Sequence, residues 1–287
     1  MRYSTVFLLV VFLLAGCGGG GKGGGSRPID GGGGSPVTSN QIRTQFANRG
    51  ASADRLHMTE LQVSYGRGGT SVGNDCFDVA QCEPATDEFG LIFTPANLSA
   101  IPRNATIQDR GSRQGVPLVE YAGTSSTILQ FGSLNRPSSV DYQVLGGWMD
   151  YSFFTVNRWT FDDTNWQIWN AASVGMESGS NPISGSAMWT GAMVGRTHGA
   201  GEHEPGVLVT GESSLTFDFV RNDLDVALTG IRSTNGQTYA DLTWENIQVE
   251  NGHFGGSVQG SFYGPNHEEV SGTFERQNML GAFGATR

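Results

Sequence analysis

The sequence predicts a mainly β protein: a soluble eight-stranded antiparallel β-barrel at the C-terminal end, residues 141–287, preceded by a small, irregular, β-rich domain at residues 37–140. Two observations carry this. Glycine and proline number 43 and 10 among 287 residues, a load that helical bundles tolerate poorly, since each interior glycine costs a helix about 1 kcal/mol relative to alanine. The second is a periodicity of two. From about Tyr142 onward, apolar residues alternate with polar or small ones in short runs separated by turn residues, the mark of strands with one buried and one wet face.

The runs can be followed in order. Ala187, Trp189, Gly191 and Met193 share one face. Leu215, Phe217 and Phe219 alternate with Thr216 and Asp218, and Leu224, Val226 and Leu228 with Asp225 and Thr229. Leu242 and Trp244 oppose Asp241, Thr243 and Glu245. The last three segments repeat one pattern, apolar-x-Gly-x-Phe: Val258-x-Gly260-x-Phe262, Val270-x-Gly272-x-Phe274 and Met279-x-Gly281-x-Phe283. Glycine beside an aromatic on an inward face suits a closed barrel, whose interior is filled by alternating small and large side chains and whose strands must bend. A two-sheet sandwich, which shares the alternation, is the alternative. The opposite face carries Asp218, Asp225, Asp241, Glu245, Ser257, Gln259 and Glu275. Charges there would be costly in lipid, so the barrel is expected to be soluble with its apolar face inside.

Residues 1–16 read as an export signal. Arg2 supplies a positive start, and Val6 to Ala15 is an unbroken apolar run. As a helix it would span about 15 Å against a hydrocarbon core of about 30 Å, too short for a membrane span. The run ends in Leu14-Ala15-Gly16-Cys17, which resembles the lipobox of bacterial lipoproteins; an ordinary secretory signal with a chance cysteine is the alternative. The resemblance implies cleavage before Cys17, a lipid on its thiol and, because residue 18 is glycine rather than aspartate, an outer-membrane address. Residues 17–36 would form the lipidated cysteine and a tether: glycine-rich chain has little to bury and much entropy to lose.

The net charge is −10, with no run of Lys or Arg, which excludes binding by phosphate neutralisation as to nucleic acid. Two cysteines remain after Cys17. In an exported protein Cys76 and Cys82, in CFDVAQC, favour a disulfide; a metal site lacks further ligands nearby in sequence, and neither cysteine has a neighbouring histidine to make it a nucleophile.

The stretch Gly260-Ser-Phe-Tyr-Gly-Pro-Asn-His-Glu-Glu-Val-Ser-Gly-Thr-Phe274, closed by Gly281-Ala-Phe-Gly-Ala-Thr-Arg287, resembles the β-barrel domain of transferrin-binding protein B and its relatives. The similarity extends loosely to Gly147-Trp148, to Gly185-x-Ala187-x-Trp189-x-Gly191 and to residues 211–219. Departures are His267, Ser271 and Thr286. The resemblance implies a surface-exposed, lipid-anchored outer-membrane protein built from a handle domain and an eight-stranded barrel, in a single lobe. It also implies a binding role without catalysis, toward an iron source such as haem or a metal carrier, or toward a host protein, with a TonB-dependent receptor as a possible partner. A shielding protein without a dedicated ligand is the alternative.

Candidate site residues follow from side-chain chemistry. Trp159, Trp166 and Trp169, interleaved with Asp162, Asp163, Thr164 and Asn165, suggest either an exposed recognition loop or strand ends packing aromatics into the barrel mouth. His198 and His203, with Glu202 and Glu204, could ligate a metal or take a haem axial position, or lie in a plain polar loop. No Gly-x-Ser-x-Gly elbow stands at a strand-to-helix turn, and paired carboxylates in a cleft are not evident. An enzyme is therefore not expected; its one support is the His/Glu loop.

Overall fold

The computed structural model describes residues 56–65, 71–74, 85–86, 92–93, 105–131, 134–161, 166–176, 178–184, 188–198 and 206–287. Among them every regular element is a strand. Before the barrel come β1 (Leu56–Tyr65), β2 (Ser71–Asn74), β3 (Ala85–Thr86), β4 (Ile92–Phe93), β5 (Thr106–Arg113), β6 (Val116–Phe131), β7 (Leu134–Trp148), β8 (Ser152–Phe161) and β9 (Trp166–Met176). The barrel comprises β10 (Met188–Thr197), β11 (Leu208–Asp218), β12 (Asp223–Ser233), β13 (Leu242–Glu250), β14 (His253–Phe254), β15 (Val258–Tyr263), β16 (Glu269–Arg276) and β17 (Met279–Thr286).

The barrel is eight-stranded, antiparallel and closed by β10 pairing with β17, where Gly191 meets Ala285 and Met193 meets Phe283. Its interior holds Trp189, Phe217, Trp244, Phe262, Phe274 and Phe283, all buried. The repeated Gly-x-Phe pattern points inward as the alternation requires. Two hairpins close through two-residue turns with both residues at positive φ, Gln277-Asn278 at 54° and 57° and Asn251-Gly252 at 53° and 83°. Such turns twist in the sense of the flanking strands and fix their register.

The barrel begins at Met188, not near residue 141. Strands β7, β8 and β9 belong instead to a seven-stranded antiparallel sheet ordered β2-β1-β9-β8-β7-β6-β5, while β3 and β4 pair only with each other. A period of two reports that one face of a strand is covered; it does not say which sheet the strand joins. The handle is correspondingly larger than the sequence suggested, and its sheet is regular. Its order depends on β1 lying along β9, with Leu56 opposite Met176 and Tyr65 opposite Gln167.

This sheet lies against the outside of the barrel. Ala192, Val194, Leu280 and Ala282, outward-facing on β10 and β17, pack with Leu118, Leu145, Phe154, Val156, Trp169 and Ala171 of the sheet in one buried cluster. The sheet's other face carries Tyr121, Tyr142, Val144 and Trp148, with Trp159 partly buried against them. Burial pushes the Tyr121 hydroxyl pKa upward.

Candidate functional site

Polar side chains enter the apolar seam between sheet and barrel at two places. At the first, β16 offers Glu269, buried at 3% exposure, to the tight turn that joins β7 to β8. Its carboxylate accepts from the Asp150 amide at 2.6 Å, the Tyr151 amide at 3.0 Å and the Ser152 hydroxyl at 2.8 Å. Burial raises its pKa to about 7, against the opposing pull of these three donors. Beside it the Ser173 and Ser271 hydroxyls meet at 2.6 Å across the seam.

At the second, side chains from consecutive strands converge. Glu120 on β6 is buried; Arg110 on β5 donates from Nε to its Oε2 at 2.7 Å, and Gln143 on β7 donates from Nε2 to its Oε1 at 2.7 Å. Arg196, outward on β10, donates from Nη2 to Gln143 Oε1 at 2.9 Å and from Nη1 to the Gly206 carbonyl at 2.5 Å. Arg158 on β8 stands directly across from Gln143 on one side and Trp169 on the other. Desolvation, and then the Arg158 charge, push the Arg196 pKa down to about 9, with Glu120 opposing.

A third feature lies at one rim of the barrel. Ile183, Met188 and Val220 are the exposed large hydrophobic side chains among the described residues, at 87%, 53% and 91% exposure. Met188 and Val220 stand at the rim where β10 begins and β11 turns into β12, and Ile183 lies in the segment 178–184. The segment 178–184 is clasped across that rim: Asn181 donates to the Val249 carbonyl at 2.9 Å and accepts from the Gly252 amide at 2.8 Å. Beside Val220 opens a cleft of about 360 Å³ lined by Phe219, Arg221, Asp218, Asp223 and Asp225, among others.

Among the described residues, those singled out from sequence, Trp159, Trp169 and His198, are not gathered into one site. Trp159 and Trp169 sit on opposite faces of the handle sheet, because Trp169 pairs with Arg158 while Trp159 pairs with Ile168. Trp169 is buried at 1% in the seam and donates to Gln167 Oε1 at 3.1 Å. Trp159 and Trp169 thus form neither a shared exposed loop nor a plug in the barrel mouth: a hairpin separates them, and strand parity sends the two rings apart. Trp166 begins β9, and its side chain lies outside the described residues, as do Cys17, Cys76, Cys82 and His203. His198 is buried at the rim opposite Val220, its ring 3.1 Å from Glu275 Oε1, and burial lowers its pKa while Glu275 opposes that shift. Among the described residues, no group of three His, Cys, Asp or Glu side chains is placed to hold a metal ion.

The arginine cluster and Glu269 were missed in the sequence. One indication was present: Ala192 and Val194 occupy outward positions on β10, and apolar residues on a supposedly wet face mark a covered one. Arg196 continues that face into cover.

Sheet and barrel together define a mainly β lobe in which a handle packs on the outside of a closed antiparallel barrel. Residues 181–287 match the family described as the C-lobe and N-lobe beta barrels of Tf-binding protein B, so the C-terminal barrel is similar to those barrels. Among solved structures, intact Ap-TbpB with its N and C lobes is similar at 13% identity and a TM-score of 0.33, over 79% of this chain and 46% of that one. A tryptophan-to-alanine mutant of the vaccine antigen transferrin-binding protein B from Haemophilus parasuis is similar at 12% identity and a TM-score of 0.36, over 80% and 45%. The chain therefore spans about half the length of these structures. No curated protein matches it.

Proposed function

We propose that this protein is a non-enzymatic binding protein, lipid-anchored through Cys17 to the outer membrane and facing the cell exterior, that captures an iron source: a transferrin-type carrier or another host protein first, haem second. The observation that carries the reading is the match of residues 181–287 to the transferrin-binding protein B barrels. Hand-over to a TonB-dependent receptor would follow from the same role.

The apolar rim is the surface assigned to protein capture. Val220 stands nearly fully exposed beside acidic Asp218 and Asp225, and Ile183 is exposed as well; exposed apolar groups with a polar surround are the usual composition of a contact surface.

The test immobilises the full-length chain and passes over it iron-loaded transferrin and then whole host serum, with haem titrated separately while the Soret band is followed. Saturable capture of a serum protein, weakened at least tenfold by Val220→Asp with Ile183→Asp, is expected. Absence of any serum partner together with an unchanged Soret band would overturn the proposal.

A further inference from the structure

We infer that the arginine cluster in the seam, Arg110, Arg158 and Arg196, is a binding site for a small oxyanion, a phosphate or an organic carboxylate. The inference goes beyond capture at the rim and does not depend on it.

The charge balance points there first. The chain as a whole carries −10, yet here three guanidinium groups surround one carboxylate. That carboxylate is already engaged: both Glu120 oxygens are taken, one by Arg110 and the other by Gln143. What Arg196 receives is neutral, the oxygens of Gln143 and Gly206.

The unmet donors point the same way. Arg196 is 1% exposed, and its Nε–H has no acceptor; the buried Nε–H of Arg158 has none either. Two guanidinium groups near enough for one to depress the other's pKa therefore share a poorly solvated space whose one carboxylate, Glu120, already accepts from Arg110 and Gln143. Buried cations without a partner are strongly disfavoured, and a bound anion removes that penalty. An oxyanion also supplies acceptor lone pairs, and the planar guanidinium fork matches carboxylate and phosphate geometry.

Gly206 borders the cluster. Position 206 bears no side chain: a Cβ there would stand 3.4 Å from the Trp169 ring and 4.0 Å from Arg196 Nη1. The ring and the edge of the guanidinium thus border the same space. Arg158 and Gln143 are only partly buried and Arg110 is exposed, which opens the cluster to solvent on the handle side.

The test uses the full-length chain, with inorganic phosphate and citrate titrated calorimetrically against a chloride background of constant ionic strength. One saturable site for at least one probe is expected; phosphate alone identifies a phosphoryl ligand, citrate alone a carboxylate. Arg158→Gln should weaken binding at least tenfold and Arg158→Lys less so, whereas Arg232→Gln, at an exposed position of β12, should leave it unchanged. In anion-free buffer Arg158→Gln should be at least as heat-stable as the unmutated chain, because it removes one of three cations that share a single carboxylate. No saturable heat with either probe overturns the inference. So does undiminished binding by Arg158→Gln, or a loss of its stability in anion-free buffer, which would mean that a partner within the protein already holds Arg158.

Discussion

Phe283 on β17 lies directly across from Gly272 on β16, and its ring occupies the space where a side chain at 272 would begin: a Cβ there would stand 2.9 Å from the ring's Cζ. The relation is reciprocated one step along the same pair of strands, where Phe274 faces Gly281. Each strand thus supplies a ring and a gap, and the two interlock. This explains why the Gly-x-Phe pattern repeats: the ring covers the partner's glycine and fills the barrel.

A methyl at position 281 would meet both the Phe274 ring and the Val194 carbonyl, the latter at 2.5 Å. The ring can shift but the backbone cannot, so Gly281→Ala should destabilise the barrel by about 1–3 kcal/mol, read as a lower urea midpoint. Gly255→Ala, where nothing lies within 4 Å, should change it little. Equal effects at the two sites would refute the interlock.

Glu269 makes stability depend on pH. Its folded pKa, about 7, lies above its ordinary 4.5, so the folded protein holds this proton more tightly than the unfolded chain does. The stability it contributes is complete below about pH 4.5, declines as pH rises, and is gone above about pH 7. The loss is worth roughly 3 kcal/mol. His198, with its lowered pKa, acts oppositely, its contribution being present above its ordinary pKa and lost on acidification. Comparing Glu269→Gln with the unmutated chain cancels the His198 effect. The mutant should lose less stability between pH 5 and pH 8, and an identical pH slope in both proteins would rule out Glu269 as the source.

Phe154 is wholly buried in the seam, and a Cβ at Gly284 of β17 would stand 2.5 Å from its ring. Phe154→Ala should open a cavity between handle and barrel and cost about 3–5 kcal/mol. Limited proteolysis should then cut the handle faster than the barrel. Uniform digestion of both would mean that the seam does not hold them as argued.

Asn181 holds the β13–β14 turn from the segment 178–184, donating to Val249 and accepting from Gly252. Asn181→Ala leaves a backbone amide and carbonyl without these partners and should cost about 1–2 kcal/mol. Amide exchange at Gly252 should speed up measurably; protection equal to that of the unmutated chain would contradict the clasp.

The C-terminal strands were legible because each states its own geometry. In β15, β16 and β17 the inward glycine and phenylalanine recur at a fixed offset, and that local pattern suffices to orient the strand. The handle was not legible to the same degree. Strands β7 to β9 carry the same period as barrel strands, and nothing within Leu56–Tyr65 announces that it will lie along Trp166–Met176, some hundred residues further on. The tryptophans misled for a related reason: closeness in sequence across a hairpin says little about which face each ring takes, since that depends on register.

Local repetition alone is therefore enough to give strands with one covered face, glycines beside rings and a closed barrel at the C-terminal end. Features that require two distant segments to meet emerge only from the packing. The barrel starts at Met188 because β10 pairs with β17 and β9 does not. Arg158 and Arg196 become neighbours because a handle strand is laid against the barrel's outer wall. Periodicity encodes burial, a property of each strand; a charge cluster in a seam belongs to the packing of two sheets, and no single strand carries it.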